Sequence, residues 1–356
     1  MAPSSPQRKT THVRTKRSRG GSSRTLVWVS RVVWASLAVL VWANQAGINK
    51  QIAGLWDSLV PGDTSEVAGM GMGGGIVSRG CDGVDIGVEN RTGCVAEGGV
   101  GGGAKGGAWW GSVLFQLESF EPLLATSSFL VVLAVYYGLD NLMPRSVVSY
   151  FHIHPEESHN MVSWKVQSPG RIQELLAYIV PLAAFDLLFP RRMAKLGDFP
   201  SPPTVFQIVF EVVSCFLVYD VLFFAGHSAM HAIPALYKAL HAKHHTRTLQ
   251  RAIETVRLSL IEQALDVSCS IAAVNLTRAH PLSRAIYVPL IVLALCDLHS
   301  GYDWPFSLEN VLPQRFWGGA VHHDVHHRDG RFHLAKFTHI WDWCFGLHID
   351  QRRKVQ

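Results

Sequence analysis

Long apolar runs separated by polar stretches set the plan of this chain. The first is Thr25 to Ala43 (TLVWVSRVVWASLAVLVWA), and others follow at Pro122–Leu139, Ile172–Phe189, Val205–Gly226, Val256–Val274 and Ile286–Leu298. A helix needs about 20 apolar residues to cross a bilayer, so the pattern predicts a polytopic bundle of helices. Two runs carry charge: Arg31 lies inside the first, and Glu262 and Asp266 lie one helical turn apart in the fifth. Carboxylates in a membrane segment face a bundle interior or polar cavity. They can equally mark an amphipathic helix lying in the interface, and the sequence leaves both readings open. Between the first two runs, from Asn44 to about Lys105, the chain turns to glycine with scattered polar residues (GMGMGGGIVSRG, EGGVGGGAKGG). That composition reads as a linker with no core of its own.

Composition agrees with a membrane protein. The chain has 356 residues and is 48% hydrophobic, and its mean hydropathy is positive. The net charge of +5 is unevenly spread, because Arg8, Lys9, Arg14, Lys16, Arg17, Arg19 and Arg24 all precede the first acidic residue, Asp57. A basic N-terminus suits nucleic-acid binding, an organelle transit segment or the cytosolic flank of a first span. The apolar run that follows at once favours the last, so no nucleic-acid partner is expected. The chain then divides into a basic cytosolic tail (1–24), a transmembrane helix (25–43), a Gly-rich lumenal linker (44–108), a membrane domain (109–350) and a basic C-terminal tail (351–356).

The polar punctuation supports that orientation. Cys81 and Cys94 flank the sequon Asn90-Arg91-Thr92, and a disulfide and a glycan would both require the lumenal side. Counting spans from a cytosolic start puts a second sequon, at Asn275, on the same side and the histidine-rich stretches in the cytosol. Arg191 and Arg192, in an expected lumenal loop, run against the positive-inside pattern. Cys215, Cys269, Cys296 and Cys344 stand alone in apolar or aromatic surroundings, as buried thiols do.

Histidine carries the chemistry. "HSAMH" places His227 and His231 at i, i+4; "HAKHH" places His241, His244 and His245, and "HDVHH" places His323, His326 and His327, at i, i+3, i+4. These spacings converge on one face of a helix. Imidazole suits Zn, Cu, Fe and Ni, but a closed structural zinc site takes four ligands, and neither HExxH nor Cys-x-x-Cys occurs. Two iron ions fit so large a set, with O2 and a lipid C–H bond as reactants. His299, in "LHSGYDWP", emerges on the same side as a further ligand candidate. His322 also stands i, i+4 to His326, so spacing alone leaves the register of the last cluster open. Metal-bound imidazoles need partners for their outer nitrogens; His322, His333, His339, Asp303, Asp324 and Asp342 are candidates for that role. His12, His152, His154, His159, His280 and His348 receive no role. The competing class is a histidine-rich membrane metal transporter, which would hold its ligands near the bilayer midplane rather than beyond the helix ends.

Taken together, "HSAMH", "HAKHH", "HSGYDWP" and "HHDVHH…FTHIWDWCFG" resemble the fatty acid hydroxylase/sterol desaturase superfamily of membrane di-iron enzymes, over roughly Ser127 to Leu347. "HSGYDWP" with "WGGAVHHDVHH", and the upstream "YFHIHP", are most similar to the cholesterol 25-hydroxylase and C-4 methylsterol oxidase branches. The resemblance implies an all-α membrane bundle with a cytosolic helical cap holding two iron ions. It also implies O2 as oxidant, electrons from NAD(P)H through cytochrome b5 and its reductase, a membrane lipid substrate and residence in the endoplasmic reticulum. Carried over by position, His227, His231, His241, His244, His245, His299, His323, His326 and His327 match metal-ligand positions, and the family pattern selects His323 over His322. Sterol hydroxylation resembling that of the 25-hydroxylases is the expected reaction. Methylsterol oxidation, desaturation and fatty acyl hydroxylation are its alternatives within the superfamily. The chain departs from many relatives at His333-Leu334, where they carry Asn and an aromatic residue. Arg353 and Lys354 near the end approximate a dilysine-type retrieval signal.

Overall fold

The structure is a computed structural model, and it describes residues 21–59, 120–155, 175–176, 178–180, 182–184, 201–246, 250–312 and 316–349. Its helices are α1 (Gly21–Ala43), α2 (Gln45–Leu59), α3 (Phe120–Leu142), α4 (Arg145–Phe151), α5 (Val205–Ala232), α6 (Leu260–Leu276), α7 (Pro281–Leu298), α8 (Leu308–Val311), α9 (Ala320–Asp329) and α10 (His339–Cys344). Among the described residues there is no strand, only an isolated antiparallel bridge between His152 and Tyr302. Asn90, Cys81, Cys94, Arg353, Lys354, His12, His159 and most of the run Ile172–Phe189 lie outside the described residues.

Among the described residues, four helices are long and apolar enough to cross a membrane: Arg24–Ala43, Phe120–Leu142, Val205–Ala232 and Pro281–Leu298. Phe206, Val209, Phe210 and Val213 point outward from α5, an apolar exterior that water would not tolerate over such an area. The chain is an all-α, multi-pass membrane protein. Inside, α7 lies along α3 and α5, and α6 lies along α5. Their shared core contains Cys215, Tyr219, Phe223, Ala273, Tyr287 and Phe337, with Phe216 meeting Tyr287 and Phe337 edge-on.

Helix α6 accounts for the charged fifth run. Ser259 caps its start by accepting from the Glu262 amide at 3.2 Å, and its 17 residues reach about 25 Å at 1.5 Å per residue, short of the ~30 Å hydrocarbon core. Leu260 and Ile261 face outward while Glu262, Gln263 and Asp266 are buried. Both carboxylates therefore face the bundle interior, of the two readings the sequence left open.

Two expectations are corrected. The Gly-rich average conceals a helical stripe in Ile48, Ile52, Trp56 and Leu59, so the first part of the expected linker is helix α2. Trp56 and Leu59 are buried against Leu282, and Asn49 Oδ1 accepts from the Val205 amide at 2.8 Å. Arg31 is not an isolated charge in a span: its Nε and Nη2 donate to the Asn310 carbonyl at 3.1 and 3.0 Å, and Trp34 Nε1 donates to the Phe306 carbonyl at 3.2 Å. Cys344 is exposed, whereas Cys215, Cys269 and Cys296 are buried thiols. At the opposite end of the bundle, Arg284 donates from Nε and Nη2 to the two Glu121 oxygens at 2.6 and 3.1 Å. Its Nη1 donates to Asn275 Oδ1 at 3.0 Å, at the exposed α6–α7 turn that carries the second sequon.

Candidate metal centre

Each histidine cluster is placed by a local break in helix geometry. His227 and His231 occupy the last turns of α5, which stops at Ile233 before Pro234. "HAKHH" is not one α-helical turn as its spacing suggests: His241 closes a π-helical turn over Tyr237–His241, and His244 and His245 open a 3-10 turn. π-type turns gather at functional sites because the extra residue per turn redirects side chains. His299 is the C-cap of α7. Helix α9 carries the last cluster and ends at Gly330, whose φ of +73° closes the helix in the left-handed conformation open to glycine.

These elements converge where α5 and α7 end. The ring nitrogens of His227, His231, His241, His245 and His326 gather within 4.8 Å of one another, and so do those of His244, His299, His323 and His327. Every histidine-rich segment that contributes more than one ring, except the α5 pair, divides itself between the two groups. Neighbouring residues His244 and His245 face different groups, as do His326 and His327. His322 joins neither group among the described residues, so the close packing selects the His323 register.

Hydrogen bonding orients the rings. His227 Nδ1 faces the Leu334 carbonyl at 2.6 Å, His299 Nδ1 the Leu295 carbonyl at 2.8 Å, and His326 Nδ1 the Phe332 carbonyl at 3.0 Å. His241 Nδ1 meets Glu262 Oε1 at 2.6 Å. Carbonyl oxygens only accept, so Nδ1 of His227, His299 and His326 carries the proton and the Nε2 lone pairs of these three rings turn inward. There the Nε2 atoms face one another: His227 to His241 at 3.0 Å, His241 to His245 at 2.8 Å, His299 to His323 at 2.9 Å and His323 to His327 at 3.0 Å. The buried Nε2 atoms of His231 and His326 have no hydrogen-bond partner at all. Buried ring nitrogens packed this closely form an arrangement that a shared cation would stabilise.

Electrostatics favour the same state. Burial, followed by repulsion from neighbouring rings, lowers His241 to about 2. Burial lowers His245 and His299 to about 4 and pushes His244, His323, His326 and His327 well below the ordinary imidazole value. The rings are neutral at physiological pH, the form that binds metal. The donor set, all nitrogen with no thiolate, fits borderline ions such as Fe or Zn.

The other sequence candidates have different partners. Asp324 binds His154 Nε2 at 2.8 Å and Arg328 Nε at 3.2 Å, giving His154 a structural role that the sequence did not suggest. Asp303 accepts from Asn310 Nδ2 at 2.7 Å. Asp342 accepts from the Leu334 amide at 2.7 Å and from the Ala335 amide, holding the segment whose carbonyl orients His227. His322 Nδ1 meets Glu309 Oε1 at 2.5 Å, and the rings of His333, His339 and His348 pack around it. Sequence reasoning missed Glu262 as a partner of His241 and missed Asp220, which accepts from the Phe337 and Thr338 amides at 2.8 and 3.0 Å.

A narrow cleft of about 60 Å³ lies between α3, α5, α6 and α7, lined by Tyr178, Leu182, Tyr219, Val267, Ile291 and Leu295. Leu295 is one turn before His299, and Tyr219 two turns before His227, so one end of the cleft approaches the histidines. At that end, buried Lys336 Nζ donates to Asp266 Oδ1 at 2.9 Å and to Tyr219 Oη at 3.1 Å.

Apolar spanning helices that end in two gatherings of buried imidazoles, beside an apolar cleft, define an integral membrane protein whose histidines could hold metal ions. A family model described as fatty acid hydroxylase matches residues 212–347. A cholesterol 25-hydroxylase-like protein of Danio rerio is 30% identical over 66% of this chain and 94% of its own length. The cholesterol 25-hydroxylase of Homo sapiens is 26% identical over 65% of this chain and 87% of its own length. A methylsterol monooxygenase of Aspergillus fumigatus is 32% identical over 40% of this chain and 48% of its own length. No solved structure gives a significant match. The chain belongs to the fatty acid hydroxylase family and is an enzyme of that class.

Proposed function

We propose that this protein is a di-iron oxygenase that hydroxylates a C–H bond of a sterol within the membrane. The observation that carries the proposal is the convergence of buried ring nitrogens in two groups, near one end of an apolar cleft. The names of the relatives, cholesterol 25-hydroxylases and methylsterol monooxygenases, support the substrate class.

In this reading His227, His231, His241, His245 and His326 hold one ion, and His244, His299, His323 and His327 the other. Bound iron supplies O2 activation and C–H cleavage, with the balance R–H + O2 + 2 electrons + 2 protons giving R–OH + H2O. The electrons come from NAD(P)H through cytochrome b5 and its reductase. The protein's own groups do the positioning. Glu262 and the carbonyls of Leu295, Phe332 and Leu334 fix the tautomer and tilt of each ring, as outer partners do for metal-binding imidazoles. The cleft walls align an apolar ring system with the metal end and exclude water. The Lys336–Asp266–Tyr219 group supplies a fixed polar contact in an otherwise apolar wall. Asp303, Asp324, His322 and His333 stand outside the two groups.

The proposal extends to topology: residence in the endoplasmic reticulum membrane with the histidines on the cytosolic side, glycan acceptors at Asn90 and Asn275, and a Cys81–Cys94 disulfide in the lumen. A second reading, oxidation of a C-4 methyl group, is favoured by the 32% identity to a methylsterol monooxygenase. It uses the same metal centre with the sterol seated the other way round. Expression in cells lacking sterol hydroxylases, followed by lipid profiling, separates the readings. A side-chain oxysterol is the expected product, a C-4 oxidised sterol favours the second reading, and a hydroxylated or desaturated acyl chain would replace both.

A further inference from the structure

Two helices act as rulers for the height of the cap that surrounds the histidines. Helix α1 runs on into α2 through helical hydrogen bonds: the Asn44 amide donates to the Leu40 carbonyl at 3.0 Å, and the Ile48 amide to the Asn44 carbonyl at 2.9 Å. Asn49 is fixed to Val205 at the start of α5, so it marks the end of the bundle remote from the histidines. Arg31 stands 18 residues before Asn49, about 27 Å away at 1.5 Å per residue. Its guanidinium donates to the Asn310 carbonyl, and Trp34 Nε1 donates to the Phe306 carbonyl, which fixes the segment 306–312 near that height. On α5, Phe224 stands 19 residues after Val205, about 28 Å away. Its ring stacks on Phe345 at 5.5 Å, which brings the end of α10 to the same height. Both distances approach the ~30 Å thickness of a hydrocarbon core.

At this height the cap turns large apolar side chains outward. Phe306 is 56% exposed, Leu312 37%, Trp343 62% and Phe345 66%, and an apolar surface of that kind marks a partner. Aromatic side chains gather where the hydrocarbon of a bilayer gives way to its headgroups. Arg31 fits the same level, because its stem follows an apolar helix while its charged head ends on a carbonyl at the boundary. The two apolar segments are far apart in sequence and are held by different helices, α1 and α5. Separate elements that reach one level suit a planar partner, whereas a protein partner needs a single patch.

We infer that the cap is seated in the membrane rather than above it: Phe306 and Leu312 on one segment, and Trp343 and Phe345 on another, enter the headgroup–acyl boundary of the leaflet at the histidine end. The partner is a lipid surface. Side chains of this kind sink about 5–10 Å into that boundary. His299 stands 17 residues after Leu282, which packs on Trp56 at the remote end, so it lies about 26 Å along α7. The histidine end is therefore level with the lipids, and a membrane lipid meets it sideways without leaving its leaflet. The seating rests on helix lengths and exposed side chains, and it holds whichever lipid is oxidised and whichever metal is bound.

The test uses the full chain in a Cys81→Ser, Cys94→Ser, Cys344→Ser background, with one added cysteine carrying a nitroxide label, in phosphatidylcholine nanodiscs. Relaxation by O2, which concentrates in hydrocarbon, is compared with relaxation by a water-soluble nickel chelate at Phe306→Cys, Trp343→Cys and Phe345→Cys. Val209→Cys, on the outward face of α5, and Lys238→Cys, on the exposed segment after it, give the lipid and water limits. The cap sites should resemble Val209→Cys, with nickel access several-fold below that of Lys238→Cys. Each labelled variant should keep the thermal midpoint of the background chain, so that shielding reports position and not misfolding. Nickel access equal to that of Lys238→Cys at either segment overturns the seating. Exclusion of both reagents with spin–spin broadening also overturns it, and would make these side chains a contact between two copies of the chain.

Discussion

Glu262 shows how one residue joins the membrane bundle to its chemistry. It lies on an apolar helix, turns inward, and its Oε1 meets His241 Nδ1 at 2.6 Å. Removing it leaves His241 free to rotate and to protonate on the wrong nitrogen. Glu262→Ala should therefore weaken metal retention about 10- to 100-fold, while Glu262→Gln, whose amide oxygen still accepts, should lose less; chelator competition on the purified protein measures both. The converging histidines were legible because several nearby imidazoles in an apolar chain leave a pattern. Their outer partners were not, since the carbonyls of Leu295, Phe332 and Leu334 belong to no residue type. Asp324 looked like such a partner by its place between histidines, yet it binds His154 and Arg328.

At the scale of elements, spacing was legible but helix type was not. "HAKHH" fits an α-helical face on paper, whereas π and 3-10 turns divide His244 from His245 and send them to different groups. The stripe of α2 was hidden for a different reason: a composition window averages four apolar residues into the glycines that follow. Connections matter as much as helices here. Gly301, just beyond His299, has φ +77°, and a Cβ there would lie 2.7 Å from the Gln250 carbonyl oxygen. Backbone cannot yield as a side-chain tip can, so Gly301→Ala should cost about 1–3 kcal/mol. It should also shift His299, lowering the thermal midpoint in detergent and metal occupancy together; an unchanged midpoint would count against this account of the loop.

Over the whole molecule, the alternation of apolar runs and polar clusters was enough to read an all-α membrane bundle with its histidines at one end. It did not resolve which runs span, because length and burial decide that: α6 is apolar outside and carboxylate-bearing inside, and shorter than the bilayer core. Burying so many neutral imidazoles also sets a pH response. His241, His245, His299 and His333 are lowered to about 2, 4, 4 and 3, against an unfolded value of about 6.5. Below that value the unfolded chain binds protons that the folded chain refuses, so stability falls as pH falls. The metal-free protein should lose thermal stability steadily from pH 6.5 toward pH 4, and loading with metal should blunt the loss.

The central claim, that two groups of imidazoles hold two iron ions for oxygen insertion, is tested most directly by iron analysis of the purified full chain together with its His244→Ala and His326→Ala variants. The account predicts two irons per chain in the wild type. It predicts reduced iron and no lipid hydroxylation in each variant, with expression and membrane insertion preserved. A wild type that binds no iron, or variants that keep both full iron and full activity, would contradict it.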